Sequence, residues 1–95
     1  MDYVFELTDK RGKKIHLTKE RWKHILEHQE LTNYLDEIKK TIESPVKIED
    51  YDEETAYYYS YLKDRNSEAK YILVIVKYLN GTGFVITSYF VKNIK

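Results

Sequence analysis

The sequence predicts an α+β fold in which an N-terminal β-hairpin and two helices pack on one face of a C-terminal antiparallel β-meander of about four strands. Apolar residues recur at spacings of three and four between residues 18 and 44, and they alternate with polar residues before and after that stretch. Short loops join the last four predicted strands, which favours helices on one face of an antiparallel sheet. A chain of 95 residues holds one core, so we expect a single domain over residues 1–95.

The first predicted element is a hairpin. Residues 3–7 and 14–17 each alternate apolar and polar side chains, as half-buried strands do. The segment Asp9–Gly12 between them is a turn signal, so the two strands are expected to pair.

Two amphipathic helices follow. Thr18 is a good N-cap for a helix from Lys19 to about Gln29. Thr32 is the expected N-cap of a second helix, which ends at Ser44 because the residue before Pro45 disfavours the helical region. The apolar faces are Trp22, Ile25 and Leu26 in the first helix, and Leu31, Tyr34, Leu35, Ile38 and Ile42 in the second.

Four strands are predicted in the second half, at Val46–Glu49, Thr55–Leu62, Tyr71–Leu79 and Gly83–Val91. The third of these is rich in β-branched residues and is the best candidate for a central strand. Asn80–Gly81 is a strong signal for a two-residue hairpin turn between the last two strands.

Tyrosine is unusually frequent, with 10 residues in the chain. Its polar hydroxyl suits a sheet with one solvated face. Alternation places Tyr57, Tyr59 and Tyr61 on one face of their strand and Tyr58 on the other. Such a row either packs as a half-buried surface or stacks on single-stranded bases.

Composition excludes several classes of function. Lys+Arg and Asp+Glu are equal at 16 each, so a strongly basic nucleic-acid binder is not indicated. The acidic run at residues 49–54 is expected to be a solvated loop. The absence of Cys removes disulfides, thiol nucleophiles and Cys-based zinc sites. Because neither a signal peptide nor a long apolar run is visible, we expect a cytoplasmic protein without membrane contact.

The first helix carries candidate chemistry. At 100° per residue, Arg21, His24 and His28 fall within an arc of roughly 60° that borders the apolar face. Arg binds phosphate through two N–H groups, and His serves as base or acid near neutral pH. Alternatively, the histidines are boundary residues and Arg21 pairs with a carboxylate.

His24 and His28 are also four residues apart, a spacing that can bind a metal. A third ligand is needed, and His16 would supply it only if the hairpin folds over this helix. The chain contains no H-E-x-x-H pattern, so we expect neither a metal nor another cofactor.

The last predicted strand offers hydroxyls. Thr87 and Tyr89 should point to one face and Ser88 to the other. A regular two-residue turn would set Thr87 opposite Val74 and Ser88 opposite Leu73, with Lys77 on the Ser88 side. The hydroxyls could bind phosphate oxygens, or they could be ordinary strand residues.

Four segments together resemble a known superfamily: residues 15–25, residues 28–31, residues 38–48 and residues 84–89. The pattern L-T-x-E-R-W-x-H-I, H-x-E-L, T-I-x-x-P-x-x-I and V-I-T-x-Y is similar to that of phage and toxin nucleases of the barnase–EndoU–colicin–RelE-like superfamily. The resemblance spans nearly the whole chain in the same order. It implies a metal-independent endoribonuclease, often the toxin of a toxin–antitoxin pair, with RNA and a cognate antitoxin as partners.

The resemblance implies Arg21, His24, His28, Thr87 and Tyr89 as the functional positions. The hypothesis is RNA cleavage by attack of a ribose 2′-OH, with His24 or His28 transferring protons and Arg21 binding the phosphate. The neutral charge departs from many such toxins, which are basic. The alternative is a non-catalytic module that binds a protein or RNA through its tyrosine-rich face, and exposed strand edges also allow a homodimer.

Overall fold

The computed structural model describes residues 3–94. These residues form six strands and two α-helices in the order β1 (Tyr3–Thr8), β2 (Lys14–Thr18), α1 (Lys19–Ile25), α2 (Leu35–Glu43), β3 (Lys47–Asp50), β4 (Thr55–Tyr61), β5 (Tyr71–Leu79) and β6 (Thr82–Val91). A single 3₁₀ turn, Gln29–Leu31, lies between the two helices. Every predicted strand is present, and no strand end differs from the expected one by more than one residue.

All six strands belong to one mixed sheet in the order β1-β2-β6-β5-β4-β3. The prediction that the hairpin packs with the helices on one face of a four-strand meander is therefore corrected, because the hairpin extends the sheet through a parallel pairing of β2 with β6. That pairing joins Ile15 to Gly83 and His16 to Phe84, and then the chain turns into α1. Beyond Phe84, no strand within residues 3–94 pairs with this side of β6, and we call residues 87–91 the free margin of β6.

Both helices cover the same face of the sheet. Ile25 of α1 and Ile38 and Ile42 of α2 are fully buried in the core. The sheet residues that pack with them are Ile15, Leu17, Ala56, Tyr58, Ile72, Val74, Val76 and Val85. Since side chains alternate along a strand, the residues between these point to the opposite, helix-free side, which we call the open face.

Helix α1 is shorter than predicted and ends at Ile25 instead of near Gln29. Its N-cap is the expected one, because Thr18 Oγ1 accepts a hydrogen bond from the backbone N–H of Arg21 at 3.1 Å. At the other end the N–H groups of Glu27 and His28 donate to carbonyls three residues back. This tightening ends the helix, and His28 then leaves the helical region with φ −88° and ψ 89°.

Helix α2 begins later than predicted. Its N-cap is Tyr34, not Thr32, whose Oγ1 instead donates to the carbonyl of Gln29 at 2.7 Å within the preceding turn. The helix ends at Glu43, directly before Ser44 and Pro45, which confirms the predicted stop.

The β5–β6 hairpin has the predicted turn but not the predicted register. Asn80 and Gly81 both have positive φ, at 54° and 81°, as a two-residue turn of this kind requires. Val76 pairs with Val85, but Ile75 pairs with Thr87, so Ile86 forms a β-bulge.

The bulge changes which residues share a face. Thr87 lies opposite Ile75 instead of Val74, and Ser88 lies opposite Val74 instead of Leu73. Ser88 consequently points into the core, where its hydroxyl donates to the carbonyl of Leu73 at 2.8 Å. Lys77 follows Ile75 by two residues and so shares the face of Thr87, which corrects the prediction that it lies with Ser88.

Candidate functional site

Three polar side chains of the last two strands share the open face. Thr87 pairs with Ile75 and Tyr89 pairs with Leu73. Lys77 lies on β5 two residues after Ile75. Lys77 is exposed, Thr87 is half-buried, and 38% of Tyr89 is exposed. The structure thus brings together two of the sequence-predicted residues, Thr87 and Tyr89, and adds a cation to them.

Tyrosine rings continue this surface towards β3. The rings of Tyr51 and Tyr57 are parallel within 3°, with centroids 5.3 Å apart. Burial, together with the neighbouring Tyr51 and Tyr89, raises the pKa of Tyr57, so its hydroxyl stays a neutral donor at physiological pH. A pocket of about 440 Å³ opens beside these rings, and its lining residues are Tyr57, Tyr59, Leu73, Tyr89, Val91, Lys92 and Asn93.

A carboxylate–imidazole pair lies at the other end of the open face, where β1 and β2 pair. Glu6 Oε2 lies 2.5 Å from His16 Nε2, and the other ring nitrogen faces the carbonyl of Gly83 at 3.4 Å. The imidazole lies between the rings of Tyr3 and Phe84 and is only 6% exposed. Both nitrogens are engaged, so this ring is closed to a substrate.

Sequence reasoning missed the Glu6–His16 pair. It treated His16 only as a possible third ligand for a metal on the first helix. The available signal was the register of the first hairpin, because directly opposite residues of an antiparallel pair lie on the same face.

The predicted helix residues occupy a different part of the molecule. Arg21, His24 and His28 are all exposed. His24 Nδ1 lies 3.9 Å from Glu27 Oε2, with 55% and 74% of the two side chains exposed. His28 follows the end of α1, so it does not form the expected spacing of four on one helix face with His24.

Arg21 and His24 lie together on α1, and Thr87 and Tyr89 lie together on the open face of β6. Across residues 3–94, no hydrogen bond, ion pair or ring contact links the two pairs of residues. Helix α1 nevertheless packs against β6, so the two pairs lie on either side of the free margin of that strand.

A chain of hydrogen bonds crosses one end of the sheet on the helix side. Arg11 donates to the hydroxyl of Tyr78 at 3.2 Å, Tyr78 contacts the hydroxyl of Tyr58, and Tyr58 donates to Asp9 Oδ2. Arg11 also pairs with Asp50 at 3.0 Å. The chain connects the first hairpin to β3, β4 and β5.

Burial, and then the hydrogen bond to Asp9, raises the pKa of Tyr58 well above the usual range of a phenol. A group whose pKa is higher in the folded state stabilises the fold below its unfolded pKa, which for tyrosine is about 10, and this stabilisation is lost as the pH rises further. We therefore expect the free energy of unfolding to fall above about pH 10. Urea unfolding from pH 8 upwards measures it, and Tyr58→Phe should show a shallower fall. Equal slopes for the two proteins would contradict the assignment.

Two further properties concern the described part of the chain. Residues 3–94 contain no cluster of three or more His, Asp or Glu side chains arranged to hold a metal ion. None of the helices in this range has the length and hydropathy of a transmembrane span.

Comparison with known proteins identifies the family. No curated protein and no solved structure matches the chain. The family described as phage-Barnase-EndoU-ColicinE5/D-RelE like nuclease2 has a model that matches residues 3–95. This match confirms the resemblance seen in the sequence, and the chain belongs to this nuclease family.

Proposed function

We propose that this nuclease is a metal-independent endoribonuclease, the toxin of a toxin–antitoxin pair, and that it binds RNA on the open face of its sheet. One observation carries the proposal: the bulge at Ile86 sets Lys77, Thr87 and Tyr89 on one face, beside a pocket lined by tyrosines. A cation and a hydroxyl bind phosphate oxygens, and aromatic rings stack on bases.

The proposed reaction is an internal transesterification. A base takes the proton of a ribose 2′-OH, the freed oxygen attacks the adjacent phosphorus, and an acid protonates the departing 5′-oxygen. Positive charge stabilises the extra negative charge that builds up on the phosphate oxygens. No metal enters these steps.

Proton transfer is assigned to His24. A group that exchanges protons with RNA must be accessible, and His24 is exposed whereas His16 is enclosed by two rings. His24 is preferred to His28 because it shares α1 with Arg21, the proposed phosphate ligand, while His28 lies outside that helix.

A path for RNA connects the open face with α1. No strand flanks the free margin of β6 in the described range, so a single strand of RNA can pass from Lys77 and Thr87 over this margin towards Arg21. The acidic side chains of Glu49 and Asp50 lie beside Tyr51, at the far side of the tyrosine surface. The backbone N–H of Glu54 and then the charge of Lys77 lower the pKa of the Asp52 carboxyl, so this carboxylate lies nearer the path. With a formal net charge of +0 and few phosphate contacts, binding should be weak, and it should weaken only moderately as the salt concentration rises.

Substitution on the open face tests the binding site. Lys77→Ala and Thr87→Val should each lower the rate of RNA cleavage by about tenfold, the loss of one phosphate contact being worth roughly 1–1.5 kcal/mol. Cleavage of a fluorescent oligoribonucleotide at low salt measures the effect, and Lys63→Ala removes an exposed Lys from a loop as the matched control. Wild-type rates in both open-face variants would contradict the proposed site.

Induced expression tests the reaction and the toxin role together. The wild type is expected to arrest growth, to leave cellular RNA with 2′,3′-cyclic phosphate ends and to keep its activity in EDTA. RNA that stays intact, with a protein partner retained in a pull-down, would instead favour the non-catalytic binding module.

A further inference from the structure

We infer that the pocket between β4 and β6 on the open face is a nucleobase site that holds one unstacked base of single-stranded RNA. The inference rests on the proposed function and adds a source of sequence preference to it. The pocket encloses about 440 Å³, within the range of about 300–1,000 Å³ that small-ligand sites occupy.

The walls of the pocket are aromatic and its floor is aliphatic. Tyr59, Leu73 and Tyr89 lie in one row across β4, β5 and β6. With strands about 4.8 Å apart, the backbones of the two tyrosines are roughly 10 Å from each other. Tyr59 is buried and closes the inner end of the pocket, while Tyr89 is 38% exposed and borders its mouth. A planar base that enters the mouth stacks on the exposed ring of Tyr89.

Polar groups of the pocket suit a nucleotide. The seven lining residues include the amide of Asn93 and the ammonium of Lys92, and none of them is a carboxylate. An Asn amide offers both donors and an acceptor to the edge of a base. Lys92 pairs with Glu68 at 3.3 Å, but both side chains are mostly exposed, so this weak ion pair can give way to a phosphate.

The spacing along β6 places the base next to the proposed phosphate site. Thr87 precedes Tyr89 by two residues on the same face, a separation of about 6.7 Å along the strand. A nucleotide whose base enters the pocket therefore places its own or the adjacent phosphate near Thr87.

Binding is tested with a 2′-fluoro pentanucleotide, which lacks the attacking hydroxyl and so cannot be cut by the proposed reaction. A series with one abasic position each is measured by fluorescence anisotropy against the wild type and Tyr89→Ala. Tyr89→Ala should raise Kd about 5- to 100-fold for the intact oligonucleotide. One abasic position should raise Kd by a similar factor, and combining it with Tyr89→Ala should add nothing further, as expected when both changes remove one interaction.

Two other variants provide controls. Tyr89→Phe keeps the ring and should bind within about twofold of the wild type, with thermal unfolding checked for each protein. Tyr61→Ala removes a tyrosine of β4 that is 51% exposed but does not line this pocket, and it should leave Kd unchanged.

The base site would be overturned if the increases in Kd from Tyr89→Ala and from the abasic position were additive at every position. An increase in Kd for Tyr61→Ala as large as that for Tyr89→Ala would overturn it too. The result is independent of cleavage, because the probe is not cut. If Tyr89→Ala and one abasic position raise Kd non-additively but the protein does not cleave RNA, the base site is supported and the ribonuclease is refuted. Cleavage with purely additive losses would refute the base site alone.

Discussion

Replacing His24 by Ala is expected to lower the rate of RNA cleavage by about 10²–10⁴-fold, the usual contribution of a proton-transfer group. The side chain is exposed and lies 3.9 Å from the exposed carboxylate of Glu27, so the substitution should leave the free energy of unfolding nearly unchanged. Initial rates on an oligoribonucleotide, with urea unfolding of the same sample, separate loss of chemistry from loss of fold.

His28→Ala is the matched control for this prediction. It removes the same type of side chain from a position that is also exposed but lies past the end of α1. A large loss in His28→Ala with none in His24→Ala would transfer the role to His28. Full activity in both variants and in Arg21→Ala would remove α1 from the reaction and leave the open face as the remaining candidate site.

Asp9→Ala is expected to reduce the free energy of unfolding by about 3–4 kcal/mol, near the upper end for a single substitution. Asp9 is 5% exposed, and its carboxylate accepts hydrogen bonds from the N–H groups of Arg11 and Lys13, at 2.9 and 2.7 Å, and from the hydroxyl of Tyr58. Removing the carboxylate leaves these donors without their acceptor, while the turn keeps its backbone hydrogen bonds from Asp9 N–H to the Lys13 carbonyl and from Gly12 N–H to the Asp9 carbonyl.

Urea or thermal unfolding of Asp9→Ala measures this loss. Asp9→Asn retains an oxygen that can accept from the turn but gives up the charge, so its loss should be clearly smaller. Asp64→Ala, at an exposed loop position, should change stability little. A loss below about 1 kcal/mol in Asp9→Ala would show that the buried chain of hydrogen bonds contributes little.

The sequence predicted the strands, the hairpin turn and the end of α2 well because each depends on residues that are close together in the chain. Alternation defined the shorter strands, β-branched residues defined β5, positive φ at Asn80 and Gly81 formed the expected turn into β6, and Pro45 ended α2. The open tyrosine face also follows from alternation, with Tyr58 buried in the core opposite Tyr57.

Long-range pairings were not predictable in the same way. The parallel contact of β2 with β6 joins residues that are far apart in the chain. Gly83 is a local trace of it, since a Cβ there would clash with the side chain of Ile15, but a single glycine does not identify its partner strand. The six-stranded sheet was therefore missed although all of its strands were found. The end of α1 was also missed, because Glu27 and His28 continue the helical sequence pattern although their N–H groups bond to carbonyls three residues back and so end the helix.

The candidate site was predicted only in part. Thr87 and Tyr89 were placed on one face correctly, but Lys77 was assigned to the wrong side because a bulge at Ile86 has no Gly or Pro to signal it. The role of Arg21 and His24 stays a prediction that the variants above can test.

The bulge also determines where β6 tolerates a change in length. Ile86 is the residue without a partner on β5, so its deletion would leave the pairs of Thr87, Ser88 and Tyr89 intact and merely straighten the strand. Loss of a residue after Thr87 would instead turn every later side chain to the opposite side, exposing apolar groups and burying phenols. Deletion of Ile86 thus keeps the same side chains on each face of β6, whereas deletion of a neighbouring residue after Thr87 exchanges the two faces.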